Sequence, residues 1–421
     1  MASISGSGIR IGYVEELDRV TGGLLDLRIQ GGSTAKLAPT EGKEEVKEKP
    51  KDEGKEEKKF PLVTLKAPAK VAPGMPVVLE PSAFRTVGVA KKLLIVKNAH
   101  QDDIHAMLQV GADTFVTGSK DGALKMWNTA GKLAREVWNP EKIDYREWIT
   151  ALAPFGATRW ISGTRNGYVD LWKNNGEHIK SLNATVEVPH GAKCKPRNLE
   201  RINCLGETCA TDSTSLYYVG RATQFSTHHA DKDKAVNTCV TSSNDWVYCI
   251  TPLTDRKIMV VTGATLDIVT HNPKTNRWTK SALIVEKRSK LIAAHQRPFI
   301  SGVTALDGKP GVYGIAVFGG SVHMLDLNVQ KVVTTYKEHT QRVWQVENIR
   351  PQIFASCSDD HTIKIWDARL SESALTIAGN IGRVSTLLRM SDVFLVSGAC
   401  PDDLRTTSAR AQLDIWDIRA L

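Results

Sequence analysis

From residue 93 onward the chain repeats one alternating pattern of apolar and polar positions. Each unit opens on two apolar residues three apart: Ile104 and Met107, Ile149 and Leu152, Ile202 and Leu205, Val247 and Ile250, Val303 and Leu306, Val343 and Val346, Val384 and Leu387. The first members are spaced by 45, 53, 45, 56, 40 and 41 residues, which marks seven units of forty-odd residues. In three units a small-residue stretch follows, then a tight turn with Asp or Asn, then an alternating run ending in Trp. These are Thr117–Trp127, Ser162–Trp172 and Ser356–Trp366. Period two on both sides of a tight turn predicts a β-hairpin. No helical period of useful length interrupts the array, so each unit is expected to be a blade of four short strands. The last unit supplies only three strands between Val384 and Ile418. Leu93–Lys97 reads as a strand and is expected to complete that unit from outside, leaving the ring without an open end.

These repeats resemble the WD40 family over residues 100–420. The resemblance implies an all-β fold: a seven-bladed WD40-type β-propeller spanning 93–421 and closed by strand 93–97. It also implies that a His, a Ser or Thr, a turn Asp and a Trp hydrogen-bond within a blade. In blade one these are His100, Ser119, Asp121 and Trp127; in blade six His339, Ser358, Asp360 and Trp366. Blade two keeps Asn166 and Trp172 but has Tyr145 in the histidine position. Blade seven keeps Trp416 and Asp417, has Asn380 in the histidine position and carries the insertion PDDLRTTSARAQ. Blades three to five lack the polar set and rest on the apolar pattern alone. The polar sets are expected to satisfy buried groups rather than to perform chemistry.

The part before the repeats has a different character. Residues 1–40 form a short extension whose strand-like pieces, Ile9–Val14 and Leu24–Ile29, are expected to pair or to pack on the propeller. Residues 41–60 hold eight acids and seven lysines, with Val46 as the one aliphatic residue able to pack before Phe60. Such a stretch cannot offset its ordering entropy and is expected to be a disordered linker. Residues 61–92 are proline-rich and read as extended.

The net charge of +9 comes from the rest of the chain, since the charged linker is itself −1. A basic body attracts acidic protein, nucleic acid or lipid headgroups. No apolar run is long enough for a membrane helix, and the opening MASISGSGIRIG lacks the pattern of a secretory leader. The expectation is an intracellular protein, in the cytoplasm before the nucleus. The seven cysteines (194, 204, 209, 239, 249, 357 and 400) show no compact disulfide spacing and are read as reduced thiols. No nucleotide, zinc-protease or hydrolase motif is present, and Gly319-Gly320 reads as a hairpin turn rather than a phosphate loop. His228 and His229 with Cys204 and Cys209 fit no zinc spacing. Neither enzyme activity nor cofactor nor metal is expected.

Binding is therefore the function to place. The residue before each unit's first apolar position should face the central opening on the narrow rim. Those residues are Asp103, Trp148, Arg201, Trp246, Gly302, Arg342 and Arg383. Arg and Trp dominate binding hot spots, and Arg matches carboxylate or phosphate in a two-pronged geometry. The expected partner is a protein with an acidic or phosphorylated segment, bound within a multiprotein complex. At the other end, Trp366-Asp367-Ala368-Arg369 and Trp416-Asp417-Ile418-Arg419 resemble the signature of propellers that dock on a cullin-4 ubiquitin-ligase adaptor. That resemblance implies Arg369 and Arg419 as adaptor contacts. RNA binding or ribonucleoprotein assembly through Lys91-Lys92, Lys287-Arg288 and Lys290 is a further alternative, and an enzyme built on the propeller is the last.

Overall fold

The computed structural model describes residues 90–137, 147–182, 184, 201–207, 216–221, 224–231, 235–240, 246–254, 257–263, 265–272, 277–284, 299–308, 310–404 and 408–421. The expectations for residues 1–40, 41–60 and 61–89 lie outside them, as do those for Tyr145 and Lys287–Lys290.

Seven four-stranded antiparallel sheets account for the twenty-eight strands among the described residues. In six sheets the strand order follows the chain. In the seventh the order is Lys91–His100, Ala411–Asp417, Phe394–Cys400, Arg383–Arg389. The strand from the start of the repeats thus closes the last blade, with Leu94 opposite Ile415 and Val96 opposite Leu413. It runs from Lys91, slightly longer than the Leu93–Lys97 segment read from the sequence.

In six of the seven blades the innermost strand carries a bulge just after the repeating apolar position; that of blade three, Cys204–Glu207, runs without one. Ile104 faces Ser119, Ile149 faces Thr164, Val247 faces Thr262, Val343 faces Ser358 and Val384 faces Ala399. In blade five the residue with this register is Ile300, opposite Val317, and not Val303. Ile300 and Val303 also stand three apart, so the apolar spacing fits either frame, and only the ladder separates them. The rim residue of blade five is consequently Phe299 and not Gly302.

Apolar side chains alternate between the two faces of each blade, so the core forms at the seams between blades. There are seven core clusters among the described residues, each joining two neighbours: Leu124 and Met126 of blade one meet Ile149 and Trp160 of blade two, and Ile104 and Phe115 of blade one meet Leu413 and Ile415 of blade seven. Close approach at several seams depends on glycine. A Cβ on Gly118 would stand 2.4 Å from Ile149 Cγ2, and one on Gly163 would stand 2.7 Å from Ile202 Cγ2. The first apolar residue of one blade nests against the second strand of the blade before it. Hydroxyls stitch the same seams from the channel side: Thr150 donates to the Ile202 carbonyl (2.6 Å) and Ser385 to that of Ile104 (2.8 Å).

Candidate functional site: the narrow rim and its supports

The polar sets of blades one and six tie loop to hairpin, but through a different hydroxyl than the resemblance implied. His100 Nε2 lies 2.7 Å from Thr117 Oγ1, which also accepts the indole N–H of Trp127 (2.8 Å). In blade six, Ser356 Oγ meets His339 Nε2 (2.7 Å) and the Trp366 indole N–H (2.8 Å). Ser119 and Ser358, two residues further on the same strand face, cap the turn instead and accept the amides of Asp121 and Asp360 (both 3.1 Å). Period two makes positions two apart equivalent in pattern, and the diagonal reach of the indole decides between them. His100 Nδ1 faces Asp121 (3.1 Å) and His339 Nδ1 faces Asp360 (2.7 Å).

Burial alone would raise the Asp121 carboxyl, but the hydrogen bond and charge of His100 bring it down to about 2. His100 itself is lowered by burial, with Asp121 opposing. Blades two and seven keep the indole arm, with Trp172 donating to Ser162 and Trp416 to Ser397 (both 2.9 Å). Asn380 of blade seven donates to the His361 carbonyl (2.7 Å).

Blades three to five build the same place from other residues. The ladder puts His228, Val269 and Leu325 where Trp127 stands in blade one. His228 is fully buried, stacks on Tyr217 and shares a 2.6 Å hydrogen bond with Ser226 Oγ. Burial, with Arg221 nearby, pushes its imidazole down to about 3, so it sits neutral as a core residue. No group of three or more His, Cys, Asp or Glu able to hold a metal occurs among the described residues. The polar sets of blades one and six therefore tie loop to hairpin.

At the rim the structure places the expected residues in three different situations. Arg383 reaches across the seam between blades seven and one to Asp103 (2.8 Å), whose side chain is 1% exposed. Arg342 pairs with Asp359 within blade six (2.6 Å) and lies over Phe318 (4.8 Å) and Trp344 (5.5 Å). Both arginines are engaged with buried carboxylates, and removing either would take away that acid's counter-charge, Asp359 keeping the Trp344 indole N–H (2.5 Å). Arg201 is buried and lies 5.7 Å from the Trp246 ring. Trp148 is half-buried, and Lys120 (4.6 Å) and Arg165 (4.2 Å) both stack on its indole.

Lys120, Arg165, Phe299 and Phe318 were missed in the sequence. Each is found by following the ladder across the hairpin: Lys120 N–H bonds to the Asp103 carbonyl (2.9 Å), Arg165 to Trp148 (3.0 Å), Phe318 to Phe299 (2.8 Å) and Asp359 to Arg342 (2.9 Å). The rim residues of blades one, two, five and six thus each have a companion from the second strand. In blade one the companion adds a cation, in blade five an aromatic ring, and in blade six the acid that engages the arginine. Tyr248, Phe299 and Phe318 form a stack with centroids 4.7 and 4.0 Å apart, so the rim is aromatic over blades four to six and ionic over blades six, seven and one.

On the opposite end, Arg369 and Arg419 fold back onto Asp367 and Asp417, two residues before each. The hydrogen bonds from Arg419 hold the Asp417 carboxyl down at about 2. The Arg419 side chain is 68% exposed and that of Arg369 31%.

Comparison with known proteins agrees with this architecture. The family model described as "WD domain, G-beta repeat" matches residues 91–128 and 330–367, which hold the first three strands of blades one and six with the strand just before each. A curated relative, Protein SPA1-RELATED 3 of Arabidopsis thaliana, is 39% identical over 62 residues, covering 14% of this chain and 7% of that protein's length. Among solved structures, the WD40 β-propeller domain of Doa1 superposes with a TM-score of 0.57 at 12% identity, over 78% of this chain and 97% of that one. At that identity the likeness speaks to the fold alone.

Proposed function

Because this chain is a WD40-repeat β-propeller, we propose that it works as a protein-interaction scaffold inside a cellular complex and takes an acidic or phosphorylated protein segment on its narrow rim. WD40 propellers are in general non-catalytic scaffolds. The observation that carries the finer reading is Trp148 with Lys120 and Arg165 stacked on it. Stacking uses the flat face of a guanidinium, while its fork of donors lies in the plane, where a carboxylate or phosphate is met. Arg342 is held by Asp359 within blade six and Arg383 by Asp103 across the seam between blades seven and one; both add to the positive field of the opening, and an acidic ligand settles beside Trp148, where Lys120 also stands 4.0 Å from Asp102.

A pull-down with mass spectrometry names the partner. Calorimetry then compares it with the Lys120→Ala/Arg165→Ala variant after a melting check. The loss is about 0.2–1 kcal/mol per cation if the pairs stay wet, and about 2–5 kcal/mol for a pair that is desolvated. Unchanged affinity overturns the rim site.

A second reading keeps the opposite end, where Arg419 is held out by Asp417 and largely exposed. Docking on a ubiquitin-ligase adaptor through Arg369 and Arg419 would be lost in Arg369→Ala/Arg419→Ala, with rim binding untouched.

A further inference from the structure

The closing strand Lys91–His100 differs from the other outermost strands. It is ten residues long, the longest of them, and like every other outermost strand it pairs on one side only among the described residues. Leu93 and Ile95, two apart, are 43% and 46% exposed. The outer strands Leu133–Val137, His178–Leu182 and Lys331–Tyr336 each expose one large apolar side chain, and Ser373–Ile377 exposes none. Exposed Lys91 and Lys97 flank the pair. Lys92 is a different case: its ammonium is committed to Asp414 (2.8 Å) and lies over Trp416.

A free strand edge with alternating apolar residues is a template for an added strand. A second copy of this chain is a poor occupant. Antiparallel self-pairing that sets Leu93 against Ile95 also sets Lys91 against Lys97, and like charges directly opposite are unfavourable. The same lysines favour a strand carrying acids at those two positions. We infer that the outer edge of Lys91–His100 is a docking site for an extended segment of another protein, with apolar residues at two alternate positions and an acid two residues beyond each. Exposure alternates at Lys91, Leu93, Ile95 and Lys97 despite the irregularity in the ladder between Lys92 and Leu94, and that alternation fixes the spacing. This surface is separate from the rim, and neither proposal depends on the other.

The probe is a fluorescein-labelled peptide, Glu-Thr-Val-Thr-Val-Thr-Glu, titrated with the full chain at low salt and followed by anisotropy. Its Lys-Thr-Val-Thr-Val-Thr-Lys counterpart should bind about tenfold more weakly, since two cross-strand charge pairs change sign. A Lys91→Glu/Lys97→Glu variant should reverse that preference. Leu93→Thr/Ile95→Thr keeps strand-forming residues at exposed positions and should weaken the acidic peptide about tenfold. Amide exchange at Leu93 and Ile95 should slow when peptide is bound. Equal binding of the two peptides, no binding at millimolar protein, or full retention in the double threonine variant overturns the proposal. So does a dimer of the unmodified chain in sedimentation that the threonine variant abolishes, because it identifies a second copy as the occupant.

Discussion

Blade six and blade five occupy neighbouring places in one ring and solve the same packing problem with different chemistry. Blade six holds its hairpin with His339, Ser356, Asp360 and Trp366, a buried network closed by hydrogen bonds of 2.7–2.8 Å. Blade five has Leu325 in the indole's place and Ile315 in the hydroxyl's. Its third strand is buried from Val322 to Leu325 all the same. The network is therefore not what makes a blade. It fixes how the loop before the blade meets the hairpin, and burial at the seams fixes the rest. A satisfied polar network and an apolar filling are both workable, whereas a half-satisfied network is costly.

The comparison breaks most visibly by exchanging the two solutions. Trp366→Leu puts blade five's residue into blade six, where it leaves a cavity and strips Ser356 of a donor. The expected loss is about 3–5 kcal/mol by urea unfolding. A loss under about 1 kcal/mol would mean that blade six tolerates the apolar solution as well as blade five does.

The seams sharpen the contrast next. The second-strand position that is Gly118 in blade one is Val261 in blade four and Ala316 in blade five. Gly118→Val drives a methyl-bearing carbon into Ile149 and should cost about 3 kcal/mol. The same experiment at blade five, Ala316→Gly, should cost only about 1 kcal/mol.

Acid separates the blades by a third route. His228 of blade three has its folded value lowered to about 3 against an ordinary 6.5. The unfolded chain binds that proton first, so the contribution of neutral His228 is complete above pH 6.5 and is lost as pH falls toward 3. Melting between pH 7 and pH 5 should show about 2 kcal/mol of destabilisation from this residue, and His228→Phe should flatten that part of the profile. Asp121 of blade one acts lower: its stabilisation, full above the ordinary carboxylate value, is lost as pH falls through about 2.

The smallest effect is at the rim. Lys120→Ala/Arg165→Ala removes two cation–π contacts on a half-exposed indole and should lower stability by about 1 kcal/mol in total. A large drop in melting would place these residues among the supports of the fold instead of at a binding face.

The repeat, the number of blades and the closing strand were legible in the chain because each rests on a periodicity that burial enforces locally. Apolar residues three apart around a bulge, small residues before a tight turn and a three-stranded last unit needing a fourth strand leave few alternatives. The supports were less legible. Ser119 and Thr117 share a face two residues apart, and Ile300 and Val303 share an apolar spacing, so pattern cannot choose between them. Choosing takes the reach of an indole across one ladder and the register of another. The rim was hardest to read. Arg383 and Asp103 are 280 residues apart in the chain and 2.8 Å apart in the ring, and no local pattern records that an arginine already has its carboxylate. Residue type and rough position were set by the sequence; which charges are engaged is decided only when the ring closes and brings blade seven against blade one.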